Sequence, residues 1–332
     1  MHESCRRPAY NRITPMRLPT HPVRYLLSLL LVALTACTES ERRAEPSGDS
    51  PANRQKIAVL LINHGSRSSG WKRNLLELER RVAPRIRAID GIDTLSTAFM
   101  EHAEPSISTA LKALDRNGYS DIVVIPLFLS TGAHVFDDIP TIIGKKENPA
   151  TLEQMRLEGI ERYIPAARTH LAAPLDFSGL LASNVLRRAG TLSDDPSREG
   201  LVLVGYGSEP FQETWERTFE QTGRKACAEG GFAGFTTAWC GHVAHYSPDS
   251  TSAAIGRILK QHDRAIVIPL LVSFSERFQI DIIGRGVASV VETGKHVRYR
   301  PDAILPDPDL EAWIISTAGT LADGIRKKQL RK

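Results

Sequence analysis

Cysteine is scarce in this chain: four occur in 332 residues. Cys5 and Cys37 lie near the start, so only Cys227 and Cys240 remain in the body. That excludes a disulfide framework. A single Cys227–Cys240 bridge is permitted in an oxidising compartment, but nothing in the sequence requires it. Net charge is absent where a polyanion would need it. The formal +4 resides in residues 1–36, where Arg6, Arg7, Arg12, Arg17 and Arg24 face Glu3 alone, and the remainder is balanced. This argues against a nucleic-acid or anionic-membrane surface built on net charge, though not against a local basic pocket. Residues 38–55 hold no large aliphatic side chain. They cannot bury a core and read as a flexible tether spanning roughly 25 Å. The chain as a whole is 42% hydrophobic and 24% charged, a globular profile long enough for two domains.

The N-terminal segment has an address. Arg17 and Arg24 precede an apolar run, Tyr25 to Ala36, of about twelve residues, too short to span a bilayer. Leu34-Thr35-Ala36-Cys37 resembles a bacterial lipobox. The resemblance implies cleavage after residue 36 and a lipid on Cys37, followed by the tether 37–55. Thr38 after the cysteine implies anchoring at the outer membrane, on the periplasmic side. The alternative is an ordinary signal peptide with a chance cysteine.

The stretch that organises the remainder is Ile57 to Asn63, IAVLLIN. A strand covered on both faces does not alternate, so this reads as a buried parallel strand. It ends in His64-Gly65-Ser66-Arg67 and leads into an amphipathic helix over 69–88. A second strand over 94–100 ends at Glu101. A helix with Ile107, Ala110, Leu111 and Leu114 on one face stops near Asn117-Gly118. A third strand over 121–129 runs toward His134. A fourth is expected over 163–171, and a helix over 177–188. The order then repeats. Gly207-Ser208 lies 142 residues after Gly65-Ser66, Thr236 to Trp239 lies 140 after Ser96 to Phe99, and Pro269-Leu270 lies 143 after Pro126-Leu127. Matched blocks in one order at a near-constant offset indicate an internal repeat. We read an α/β protein of two homologous lobes, 56–190 and 200–328, each a doubly wound, flavodoxin-like parallel sheet, with a polar linker at 191–199.

In such sheets ligands sit beyond the carboxyl ends of the strands. His64, Glu101 and His134 fall there in the first lobe. Singly, each reads as a hydrogen-bonded loop histidine or a capping glutamate. Jointly, two imidazoles and a carboxylate suit a borderline divalent metal such as Co²⁺, Fe²⁺, Ni²⁺ or Zn²⁺. In the second lobe Tyr206 stands for His64 and Arg277 for His134. Neither replaces an imidazole as a ligand at neutral pH. Cys240, His242 and His245 are a further possible metal group, or else a rim loop. The four tryptophans, Trp71, Trp215, Trp239 and Trp313, read as helix–sheet packing.

His64-Gly65-Ser66-Arg67, the run Phe99 to Ser106 (FMEHAEPS), and the run Pro126 to Val135 (PLFLSTGAHV) with Asp138-Ile139-Pro140 resemble the CbiX/SirB family. These are class II chelatases, the sirohydrochlorin cobaltochelatases and ferrochelatases. The resemblance is close over 56–190 and weaker over 200–325. It implies two chelatase-like lobes with the active site in a cleft between them, and ATP-independent insertion of a divalent metal into a reduced tetrapyrrole. It implies metal-binding and proton-accepting roles for His64 and His134, with Glu101 assisting, and no organic cofactor. The substrate's many carboxylates imply cations and backbone N–H groups nearby. The candidates are Ser66, Arg67, Ser130, Thr131, Arg277 and the pair Lys145 and Lys146. The expected partners are therefore a metal ion, a sirohydrochlorin-like tetrapyrrole and the membrane at the anchor, with no nucleic acid. Because tetrapyrrole synthesis is cytoplasmic, the rival expectation is a non-catalytic periplasmic protein that binds a metal or a tetrapyrrole.

Overall fold

The computed structural model describes residues 55–129, 134–173, 175 and 177–330. The signal segment, Cys37, Ser130 and Thr131 lie outside them. Strand β1 (Ile57–Asn63) is buried along its whole length. Its side chains divide by parity, as a pleat requires. Ile57, Val59 and Leu61 enter one apolar cluster, whereas Ala58, Leu60 and Ile62 enter another. A strand with water on neither face needs helices on both sides. The chain supplies α1 (Ser69–Arg87), β2 (Ile92–Phe99), α2 (Ile107–Arg116), β3 (Asp121–Pro126), α3 (Ile139–Ile142), α4 (Pro149–Glu158), β4 (Arg168–Leu171) and α5 (Phe177–Gly190). The second half runs β5 (Glu199–Gly205), α6 (Gln212–Gly230), β6 (Gly234–Trp239), α7 (Asp249–Ile258), β7 (Arg264–Pro269), α8 (Arg285–Val291), β8 (Val297–Tyr299) and α9 (Pro308–Gln329).

Each half is a four-stranded sheet, ordered β2-β1-β3-β4 and β6-β5-β7-β8. Every pairing is parallel. The sequence repeat is exact down to single hydrogen bonds. Met100 N donates to Asn63 O at 2.8 Å, and Cys240 N to Gly205 O at 2.8 Å. Glu101 N donates to His64 O at 2.9 Å, and Gly241 N to Tyr206 O at 2.9 Å.

The halves are not contiguous bodies, however. The stripe Leu310, Ile314, Ala318, Ala322 and Ile325 of α9 joins the same apolar cluster as β1 and α1, and α9 packs on α1 and β3. Arg81 Nε donates to Glu311 Oε1 at 2.7 Å. Reciprocally, α5 packs on α6 and β7, and Arg188 Nη1 donates to Pro269 O at 2.8 Å. The terminal helix of each half thus covers the sheet of the other, and one apolar cluster runs through both. Trp71, Trp215, Trp239 and Trp313 all belong to that packing.

The fourth strand is shorter than the sequence suggests, Arg168–Leu171 rather than 163–171. Asp115 is the reason. Its carboxylate accepts hydrogen bonds from Ala166 N (2.8 Å), Ala167 N (3.2 Å) and Tyr163 Oη (2.8 Å), taking backbone donors that a ladder would use. The second and third strands are also shifted at their ends, to Ile92–Phe99 and Asp121–Pro126. At the start of β3, beside Arg168 of β4, the carboxylate of Asp121 is fully buried. It accepts from Gln55 Nε2 (2.7 Å), Arg168 Nη2 (2.7 Å), His170 Nε2 (2.8 Å) and Ser120 Oγ (2.9 Å). Cys227 and Cys240 are free thiols, and burial pushes Cys240 up to about 12. Among the described residues no helix is long and apolar enough to cross a membrane.

Candidate active site

Three strand ends build the site. After β1 the chain turns at Gly65, with φ 103°, and Ser68 caps α1 by accepting from Trp71 N at 3.3 Å. Ser66 Oγ accepts from Ser68 N at 3.1 Å, so that hydroxyl helps to form the turn. After β2, Glu101 is bonded through its N–H to His64 O, which places the two side chains together. After β3, His134 opens a π-helical turn, His134–Asp138. Helical geometry puts residues four apart on one face, and Asp138 meets His134 there.

His64 Nδ1 lies 3.2 Å from Glu101 Oε1. The same oxygen lies 3.3 Å from His102 Nε2. His134 Nδ1–H donates to Asp138 Oδ2 at 2.6 Å. The His64 and His134 rings meet edge to face, with centroids 5.0 Å apart and planes at 82°. Phe128 stands beside both, at 6.4 and 5.8 Å. His64 Nδ1–H donates to Gly65 O at 3.1 Å with the Glu101 carboxylate beside it, and His134 Nδ1–H donates to Asp138, which leaves the lone pair of each ring on Nε2 for a metal or a proton. Burial, with the nearby His134, lowers the His64 pKa below its ordinary value of 6.5 against the raising effect of Glu101. A neutral imidazole is the form that binds metal.

Among the described residues no three His, Cys, Asp or Glu side chains form a metal cage. Glu101, expected as a ligand with the two histidines, lies beside His64 and His102. It orients His64 and stabilises its protonated form. The Cys240, His242 and His245 group does not form either: Cys240 is buried, and His242 is engaged by the Tyr246 hydroxyl at 2.9 Å.

Of the expected cations, Arg67 and Lys145 are exposed, while Lys146 is paired with Asp137. In the second lobe Tyr206 and Arg277 hold the positions of His64 and His134, and Gly241 that of Glu101. Burial raises the Tyr206 pKa well above the usual phenol range, so it offers neither a ligand nor a base. Sequence reasoning gave no role to His102, Asp138 or Phe128, nor to Tyr246 and Phe278 beside Arg277. The four-residue spacing of His134 and Asp138 was a usable signal. The others depend on loop geometry that no periodicity reports.

The CbiX family model matches residues 58–192. The sirohydrochlorin cobaltochelatase of Methanococcoides burtonii is 33% identical over 136 residues, 41% of this chain and 95% of that enzyme. That of Methanopyrus kandleri is 35% identical over 88 residues, 26% of this chain and 59% of that enzyme. The crystal structure of the sirohydrochlorin chelatase SirB from Bacillus subtilis subspecies spizizenii, in complex with cobalt, superposes with a TM-score of 0.58 at 20% identity, covering 81% of this chain and 96% of that one. The last likeness is one of fold, and it extends over both lobes. With the relative from M. burtonii matched over nearly its full length, the chain belongs to the CbiX family of class II chelatases.

Proposed function

We infer that this protein inserts a divalent metal, cobalt in the first instance and iron or nickel by the same chemistry, into sirohydrochlorin or a related tetrapyrrole without ATP. The observation that carries this reading is the His64–His134 pair, whose rings are 5.0 Å apart and whose Nδ1 atoms are held by the Gly65 carbonyl beside Glu101 and by the Asp138 carboxylate. Metal insertion requires the ion to shed its own ligands while two pyrrole protons leave. Neutral Nε2 atoms suit both tasks. Glu101 stabilises the imidazolium formed when His64 takes a proton, and His102 shares that carboxylate. Asp138 fixes the His134 tautomer. The metal here is a substrate and passes through the site. The second lobe, lacking imidazoles at both positions, completes the binding surface, with Arg67 and Arg277 as cations for substrate carboxylates. The lipobox-like run at Cys37 supports a periplasmic location with a lipid anchor to the outer membrane.

The test is anaerobic metallation of sirohydrochlorin by Co²⁺, followed by absorbance, with wild type, His64→Ala and His134→Ala. Acceleration above the spontaneous rate that both substitutions abolish supports the reading. No acceleration, with Co²⁺ or haem still bound through the same histidines, replaces it with a binding protein. Labelling by a lipid precursor, lost in Cys37→Ser, tests the anchor.

A further inference from the structure

We propose that the second lobe's counterpart of the active site is a carboxylate-binding site, in which Arg277, stacked on Tyr246, takes a rim acid group of a flat, apolar ligand. The guanidinium carbon of Arg277 lies 4.6 Å from the Tyr246 ring centroid and 5.9 Å from that of Phe278. Among the described residues it is the one guanidinium seated on aromatic faces. It is exposed, and the carboxylate four residues on, Asp281, is turned to Arg285 at 3.4 Å instead. A guanidinium seated over a ring contributes its charge to the ring face while its N–H donors remain available to a carboxylate, which matches them with two hydrogen bonds. Because the stacking already fixes the side chain, little rotamer freedom is lost on binding.

The platform is itself held. The Tyr246 hydroxyl lies 3.2 Å from that of Tyr206 and 2.9 Å from His242 Nδ1. Phe278 packs edge-on against Tyr206, with centroids 5.5 Å apart. His245 and Tyr246 both have left-handed backbones, φ 48° and 57°. Such conformations in L residues persist only where the surroundings enforce them, and they cluster at ligand clamps. By the internal repeat, Arg277 stands where His134 stands. One lobe therefore presents neutral imidazoles, and the other a permanent cation in an aromatic setting. A macrocycle with nitrogens at its centre and carboxylates at its rim has use for both. The identity of the ligand rests on the proposed function, whereas its chemistry, an acid group on a flat apolar body, does not.

The experiment is equilibrium binding of metal-free uroporphyrin to the full chain, read by porphyrin fluorescence with no divalent metal present. A rim-neutral ester of the same ring serves as control. Arg277→Gln is expected to raise the Kd of the acid about tenfold and that of the ester less than twofold. Arg277→Lys should recover only part of the loss, because an ammonium lacks the planar fork. Millimolar acetate should compete with the acid for wild type and not for Arg277→Gln. Equal binding of the acid by wild type and Arg277→Gln overturns the proposal. So does an equal loss for acid and ester, which marks a packing defect. If acetate competes while the acid binds both proteins alike, the site serves small free anions and the proposal likewise falls. Arg277-dependent binding by a wild type that metallates nothing would overturn the chelatase reading and leave this one standing.

Discussion

The carbonyl oxygen of Glu101 occupies the space that a Cβ on Gly65 would need, 1.7 Å from its ideal position. Gly65 also has φ 103°, a backbone conformation that L side chains rarely adopt. The turn carrying His64 and the loop carrying Glu101 thus touch backbone to backbone. Gly65→Ala is expected to push these loops apart and to cut metallation roughly 100-fold, the usual result of an ångström-scale misplacement. The same substitution should lower stability by about 1–3 kcal/mol. Steady-state metallation and thermal unfolding of the variant check both.

The low pKa of His64 gives a signed pH dependence. Metallation should persist as pH falls through 6.5, the ordinary value, and decline only below it. Glu101→Gln removes a raising influence and should move that acid limb to lower pH. His134→Ala removes a lowering influence, so His64 should titrate at higher pH. Nuclear magnetic resonance of the imidazole reads this in a variant that does not turn over. Between the folded pKa and 6.5 the unfolded chain binds more protons at this position, so His64 makes stability rise with pH in that window.

Asp138 accepts from His134 Nδ1–H at 2.6 Å, so its effect on a metal held by that ring would pass through the imidazole. Asp138→Ala should weaken Co²⁺ binding about 10- to 100-fold, as loss of an orienting carboxylate does at other imidazole sites. The fold should remain intact, since the contact is confined to one part-buried turn. Calorimetric titration with Co²⁺, paired with circular dichroism, separates the two effects.

Asp121 carries stability rather than chemistry. Burial alone would raise its carboxyl, but hydrogen bonds from Arg168, Gln55, His170 and Ser120 outweigh that and hold it well below the usual carboxylate range. Its contribution is therefore present above about pH 4, the ordinary carboxylate range, and is lost as pH falls toward the folded value. Asp121→Asn leaves Arg168 without its charge partner and disturbs a buried hydrogen-bond cluster, and should cost about 1–3 kcal/mol. Unfolding curves at pH 7 should show the full difference, which should shrink at pH 3.

Much of this was legible in the sequence because the central strands are buried on both faces. Ile57 to Ile62 reads as a covered strand, and its counterpart Leu201 to Val204 marks the repeat. His64, Glu101 and His134 were legible because parallel strands end on one edge. The orientation of Glu101 was not, since it is set by the φ of Gly65 and by the position of His102. The end of the fourth strand was hidden because a side chain distant in sequence, Asp115, claims its donors. The exchange of α5 and α9 was hidden as well: an amphipathic stripe says that a helix must cover a sheet, without saying which one.

That exchange sets the order in which the protein can come into being. Arg81 and Glu311 are 230 residues apart, and the face of the first sheet that α1 begins to cover is completed by α9. A chain made from its N-terminus carries Ile57, Val59 and Leu61 without their full cover until α9 emerges. Loop closure over such a separation is slow, and uncovered apolar strands aggregate. His64 and His134 therefore gain the full packing of their lobe only once α9 has been synthesised.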